Sequence, residues 1–292
     1  MQSTINALLK NDLAGETPVF VFSDAACSGD EDKVEAVRAY LATVRGFSLF
    51  HVVAREYNMG SVSNGVSAVN EVAEKFGVVI SMEDDIVTAP GFLRYMNSAL
   101  EKYRLDCKVF SISGYCPPIP IPTTYPYDAF FMRRFNGWGV GEWKDRRDSV
   151  CHITPEEFHK FASNRKLSRS FTRAGGKDML TMLEHVANGR LDAAYDVKCM
   201  YTQFIKDQYT VYPTQSLIQN IGFDGSGIHC GKTDRFNVPL SDKTTFRLPE
   251  DVFLDERIVK ANRKFRAGAG YARKLMSRTQ GLVEQSLRVF KR

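Results

Sequence analysis

The chain has 292 residues, of which 43% are hydrophobic and 25% charged, and a net charge of +5. That length buries a sizeable core and fits one large domain with appendages. Its longest apolar runs, such as Phe76 to Met82, fall far short of the roughly 20 residues of a membrane helix, and its six scattered cysteines contain no C-x-x-C pair, which argues against a disulfide framework.

The charge is unevenly placed. Between Arg257 and Arg292 eleven Lys/Arg face Glu284 alone, a local balance of +10 that leaves residues 1–256 at −5. A partner drawn by basic charge therefore belongs to the tail. The opening stretch "MQSTINALLKNDLAGE" has neither a basic nor an apolar leader region, which predicts no signal peptide and a cytoplasmic protein.

Taken in chain order, "TPVFVFSD", "FSLFHVVA", "VVISM" and "KVFSISGY" read as strands, rich in β-branched and aromatic residues. Between them "DEDKVEAVRAYLATV", "SNGVSAVNEVAEKFG" and "PGFLRYMNSALEKY" carry apolar residues at helical spacing, with Pro90 suited to a first helical turn. Strands alternating with helices predict an α/β fold with a mostly parallel sheet flanked by helices. Ligands of such sheets gather beyond the C-terminal strand ends.

The proline-rich "CPPIPIPTTYP" predicts an extended loop. An aromatic segment follows, "YDAFFMRRFNGWGVGEW", then helical stretches near Pro155 to Asn164 and Lys177 to Asn188, and the helix-like "DAAYDVKCMYTQFIKD". The stretch "YTVYPTQSLIQNIGFDGSGIHC" suits an ordered loop. The tail, with Ile258, Phe265, Leu275, Leu282, Leu287 and Phe290 among basic residues, suits a surface helix on anionic lipid, or one packed on the body or another subunit. No nucleic-acid-binding module accompanies its charge.

The strand "VVISM" runs into Glu83, Asp84 and Asp85, three adjacent carboxylates that repel one another. A divalent cation relieves that repulsion and prefers oxygen ligands, whereas capping the helix near Pro90 needs only one acid. Asn58, Gly60 and Asn64 form either a loop that lets backbone approach a ligand or an ordinary turn. Trp138 and Trp143 are either a wall for sugar C–H faces or core residues.

Three motifs, N-x-G (Asn58 to Gly60), E-D-D-x-x-x-x-P-x-F (Glu83 to Phe92) and "NIGFDGSGIHC" (Asn220 to Cys230), resemble bacterial nucleotide-sugar glycosyltransferases of the GT-A type over roughly residues 1–235. The chain is also similar, more distantly, to the N-acetylglucosaminyltransferase I group, whose acidic motif is likewise E-D-D. The resemblance implies a Rossmann-like GT-A domain over 1–249, with a nucleotide-sugar half at 1–115, an acceptor half at 116–249 and a basic helical tail at 250–292. It also implies a strand ahead of "STINALLKN" that this sequence does not contain.

On that resemblance Asp85 is a direct ligand of Mn²⁺ or Mg²⁺, Asp84 faces the ribose or donor sugar, and Glu83 supports both. His229 is a further metal ligand or phosphate contact, with a structural role as its alternative. Asp24 lies near the uracil or ribose, or else caps a helix or turn, and Asn58, Gly60 and Asn64 belong to the loop that packs on the nucleoside, or else to an ordinary turn. Asp196, after Tyr195, takes the acceptor proton in an inverting reaction, with Asp192 and Asp178 as substitutes. The expected partners are a UDP-sugar, such as UDP-N-acetylglucosamine, and a glycan or lipid-linked glycan of surface polysaccharide assembly, with no nucleic acid and with an anionic membrane at the inner face as a further contact. A non-catalytic sugar-nucleotide or glycan-binding homologue and a metal-dependent phosphohydrolase remain alternatives.

Overall fold

The structure, a computed structural model, describes residues 1–190, 195–225 and 232–267. It is mixed α/β, and its elements follow from local signals. Helix α1 (Gln2–Leu8) precedes strand β1 (Pro18–Ser23), α2 (Glu31–Thr43) and β2 (Leu49–Ala54). Helix α3 (Ser61–Phe76) stops at Gly77, whose φ of 74° is the left-handed conformation that ends helices. Strands β3 (Val78–Ser81) and β4 (Ile86–Thr88) flank the acidic triplet, and α4 (Phe92–Lys102) follows, starting after Pro90 rather than including it. In α4 the residues Phe92, Leu93, Tyr95, Met96, Ala99 and Leu100 form one buried stripe.

Strand β5 (Val109–Ser113), buried along its whole length, is central. The segment read as aromatic supplies β6 (Ala129–Met132) and β7 (Val140–Trp143). After the short α5 (Lys144–Asp148) come α6 (Pro155–Ser163), begun by a Thr154–Glu157 capping box, α7 (Arg165–Gly175), α8 (Met179–Ala187) and α9 (Tyr195–Ile205). Strands β8 (Tyr209–Pro213) and β9 (Ile218–Asn220) occupy what read as a loop. Residues 256–267 form a last described helix, α10.

The sheet departs from the mostly parallel expectation. Its main part has the order β3-β7-β5-β8-β6, with β1-β2 and β4-β9 as separate pairs. Only β1–β2 and β5–β8 run parallel among the described pairs; β3–β7, β4–β9, β5–β7 and β6–β8 run antiparallel. The reason lies in the second half of the chain, where β5, β6 and β7, and again β8 and β9, follow one another with no α-helix between them. Helix α3 packs on both β1 and β3, but no described strand bonds the two into one sheet.

One core cluster joins α4 to β5, with Tyr95, Met96, Ile112, Phe131 and Trp143 inside it. A second, around Phe110, Phe158, Phe171, Met179 and Met200, holds α6 to α9 against the sheet. Residues beyond 240 strap the first: Tyr103 Oη donates to the Pro249 carbonyl at 2.7 Å, and Phe246, Leu248, Val252 and Leu254 pack on the cluster. The tail expectation changes at its start, because Ile258 is 1% exposed beside Phe130 and Tyr212 and so faces the body. Leu275, Leu282, Leu287 and Phe290 lie outside the described residues. Among the described residues no helix is long and apolar enough to cross a membrane.

Gly91 is where strap and body touch, since a Cβ there would collide with the Lys243 carbonyl oxygen. Gly91→Ala should lower stability by about 1–3 kcal/mol, the cost of overpacking, and expose the segment around Lys243 to protease, read by thermal unfolding and limited proteolysis.

Candidate active site

The acidic triplet stands at the turn between β3 and β4, at the open end of the sheet. Antiparallel pairing of Ile86 with Asn220 brings β9 against this turn, and the Ile221 amide donates to the Asp85 carbonyl at 2.9 Å. From the other side Thr4 Oγ1 of α1 donates to the Asp84 carbonyl at 2.6 Å. Backbone contacts thus fix the turn and leave its carboxylates to point elsewhere.

The three acids differ. Glu83 and Asp84 are exposed, whereas Asp85 is half-buried. Asp85 Oδ1 has no hydrogen-bond partner although it is buried, an expensive condition for a carboxylate oxygen. Burial and the neighbouring Asp84 raise its pKa, against a hydrogen bond from the Asn220 side chain. Opposite it lies Gly222, where any Cβ would collide with Asp85 Oδ2. A buried carboxylate oxygen without a partner fits a small cation bound by hard oxygen ligands. No cluster of three or more His, Cys, Asp or Glu side chains able to hold a metal occurs among the described residues, and His229 lies outside them.

Asp196, in the first turn of α9, joins this group across the sheet. Glu83, although its side chain reaches solvent, is pushed from 4.5 to about 7 by surrounding protein and by the charges of Asp85, Asp196 and Asp84. Asp196 also keeps accessible surface, yet the protein around it raises its pKa; the Gly137 amide and the Arg134 charge pull the other way. A solvent-reaching carboxylate with a raised pKa suits a proton acceptor. Of its proposed substitutes, Asp178 is held by Arg134 Nη1 and Nη2 at 3.2 and 2.9 Å, and Asp192 lies outside the described residues.

Sequence reasoning missed the residues that anchor α9. Tyr195 Oη donates to Glu142 Oε1 at 2.6 Å, and Arg147 Nη1 reaches Glu142 Oε2 at 2.7 Å and Tyr195 Oη at 3.1 Å. Arg147 Nη2 donates to Asn70 Oδ1 of α3 at 2.9 Å. Glu142 is 1% exposed; burial raises its pKa, and Arg147 and Tyr195 oppose the shift. The available signal was an acid inside the strand "VGEW", where only a partnered carboxylate is tolerated.

Strand alternation separates the two tryptophans. Trp143 sits on the same face of β7 as Gly141, which abuts Met96 and Leu100 of α4, so it is a core residue and not a sugar wall. Trp138 precedes the strand and stacks edge-on with Phe223, Tyr115 and Phe236 at centroid distances of 5.3, 5.1 and 5.7 Å, beside the Gly222 turn.

The remaining expected donor contacts serve the loops themselves. Asp24 Oδ1 accepts from the Ala25 and Met59 amides at 3.0 and 2.9 Å, and Asn58 Nδ2 donates to the Ala25 carbonyl at 2.6 Å. Asp24 is therefore a cap for the Asn58–Gly60 loop, and Gly60 adopts a φ of 76° there. Asn64 is buried, its amide shared between the Phe22 carbonyl and Arg55, so it ties α3 to the strands instead of facing a ligand. Beside this loop a cleft of about 670 Å³, lined by Ala25, Arg38, Ala39, Arg55 and Glu56, opens at the C-terminal ends of β1 and β2.

The Asp178–Arg134 pair sets an acid response. The hydrogen bond and charge of Arg134 lower the Asp178 pKa despite burial, so the stabilisation is present above the ordinary carboxylate range and lost as pH falls through the folded value. Asp178→Asn should be less stable than wild type at pH 7 and approach it below about pH 3, measured by denaturant unfolding across pH. No family model and no curated protein matches the chain.

Proposed function

We propose that the protein is a metal-dependent, inverting glycosyltransferase of GT-A fold that moves a sugar from a UDP-sugar to a glycan or lipid-linked glycan hydroxyl. One observation carries this reading: the partnerless, buried Oδ1 of Asp85, with Asp196 close enough to act on the same group of carboxylates.

Asp85 is the residue that would hold Mn²⁺ or Mg²⁺, with the exposed Asp84 on the ribose or donor-sugar side. When bound, the cation supplies Lewis-acid stabilisation of the leaving diphosphate. Asn220 orients the Asp85 carboxylate, and Gly222 lets the backbone approach its Oδ2 closely. The cleft beside the Asn58–Gly60 loop is the proposed nucleoside site, at the strand ends where such ligands gather. Asp196 takes the proton of the attacking hydroxyl, and Glu142, Arg147 and Tyr195 hold the start of its helix in place. Trp138 offers an aromatic face to the sugar.

UDP release from a panel of UDP-sugars with Mn²⁺ and glycan acceptors tests the reading. Asp85→Ala should abolish release, and Asp196→Asn should lower kcat by roughly 10²–10⁴-fold, the usual contribution of a general base, while UDP affinity holds. Equal turnover in wild type and Asp85→Ala would sink the metal role. Tight UDP binding without turnover for any acceptor would mark a sugar-nucleotide-binding protein instead, and hydrolysis indifferent to acceptor a phosphohydrolase.

A further inference from the structure

A second charged group lies beyond the aromatic wall. Arg134, which is 7% exposed, follows β6; Arg235 lies on the segment after 232; and Arg266 ends the described part of α10. The charges of Arg266 and Arg235 both act on the Tyr115 hydroxyl, and those of Arg266 and Arg134 on the Tyr212 hydroxyl. The guanidinium groups of Arg235 and Arg266 lie 4.8 and 5.4 Å from the centre of the Phe265 ring.

These cations are poorly compensated. Asp178 is the carboxylate whose charge reaches Arg266, and both of its oxygens are already engaged by Arg134. The Nε atoms of Arg235 and Arg266 are buried without a hydrogen-bond acceptor. Arg235 Nη2 donates to the Phe265 carbonyl, and Arg266 makes no ion pair with a described residue. Burial and the like charge of Arg134 hold Arg266 down to about 10. Three guanidinium groups against Asp178 and, through Arg134, Asp196, with two buried donors unused, are an arrangement that a fold built for stability alone avoids.

We infer that Arg134, Arg235 and Arg266 bind a phosphate-type anion carried by the acceptor substrate. The planar forks of arginine suit phosphate oxygens, and the unused Nε donors match that chemistry. The placement follows from Asp196: the Arg134 charge acts on it and the Gly137 amide binds it, so the cluster flanks the proposed base. On the proposed reading Asp85 serves the donor; it lies against Gly222, next in the chain to Phe223, whose ring packs edge-on with Trp138. The acceptor is accordingly a phosphate-linked glycan, such as one attached through a diphosphate. This assignment to the acceptor rests on the proposed glycosyltransferase reading, whereas the anion site itself does not.

Calorimetric titration of the full chain with inorganic pyrophosphate, without divalent cations, tests the site. Arg266→Gln should weaken binding by roughly tenfold or more, the size of one lost charge-assisted hydrogen bond. Arg235→Gln, on a separate segment, should show the same loss, Arg266→Lys should retain part of the affinity, and Asp85→Asn should bind as wild type. Unchanged binding in both glutamine variants, or loss in Asp85→Asn, overturns the site. Displacement of pyrophosphate by UDP with Mn²⁺ would hand the anion to the donor and overturn the acceptor assignment. Absence of turnover with every sugar donor would remove the glycosyltransferase reading and leave the pyrophosphate result standing.

Discussion

The antiparallel pairing of β4 with β9 is the constraint on which the candidate site depends. It covers only three residue pairs, Ile86 to Thr88 against Asn220 to Ile218, yet Ile86 and Ile218 are fully buried and fix its register. A slip of one residue would turn both isoleucines outward and move Asn220 and Gly222 away from Asp85. The acidic turn keeps its shape because apolar burial one residue away outweighs the repulsion among its carboxylates.

A comparable division of labour runs along β7. Gly141 and Trp143 face α4 and belong to the core, while Glu142 faces the other way and gathers Arg147, Tyr195 and, through Arg147, Asn70. Removing Glu142 alone would leave a buried arginine without its carboxylate, a worse state than losing the pair. One strand therefore joins packing on α4 to the position of α9, and α9 carries Asp196 to the acidic turn.

The first half of the fold was legible because strands and amphipathic helices alternate there, and the triplet was legible as a site because three adjacent acids interrupt an apolar run. The second half was not. "AFFM" and "VGEW" are four-residue strands buried on both faces, so they show no period-2 pattern, and "YTVYP" and "IQN" were hidden among glycines and polar residues. Placing Trp143 on the core face required the strand register. Asp24 and Asn64 carried the right chemistry for a ligand, but each has a backbone partner distant in sequence, the Met59 amide and the Phe22 carbonyl, which composition cannot reveal. The arginines at 134, 235 and 266 are far apart in the chain, and only folding brings Arg266 beside both Tyr115 and Tyr212, with Arg235 near the first and Arg134 near the second.

Gly222 gives the acidic turn a particular vulnerability. Its backbone approaches Asp85 Oδ2 so closely that a single methyl group would collide with the carboxylate. A replacement there would displace the Asp85 carboxylate from within the backbone while leaving every acid of the turn in the sequence.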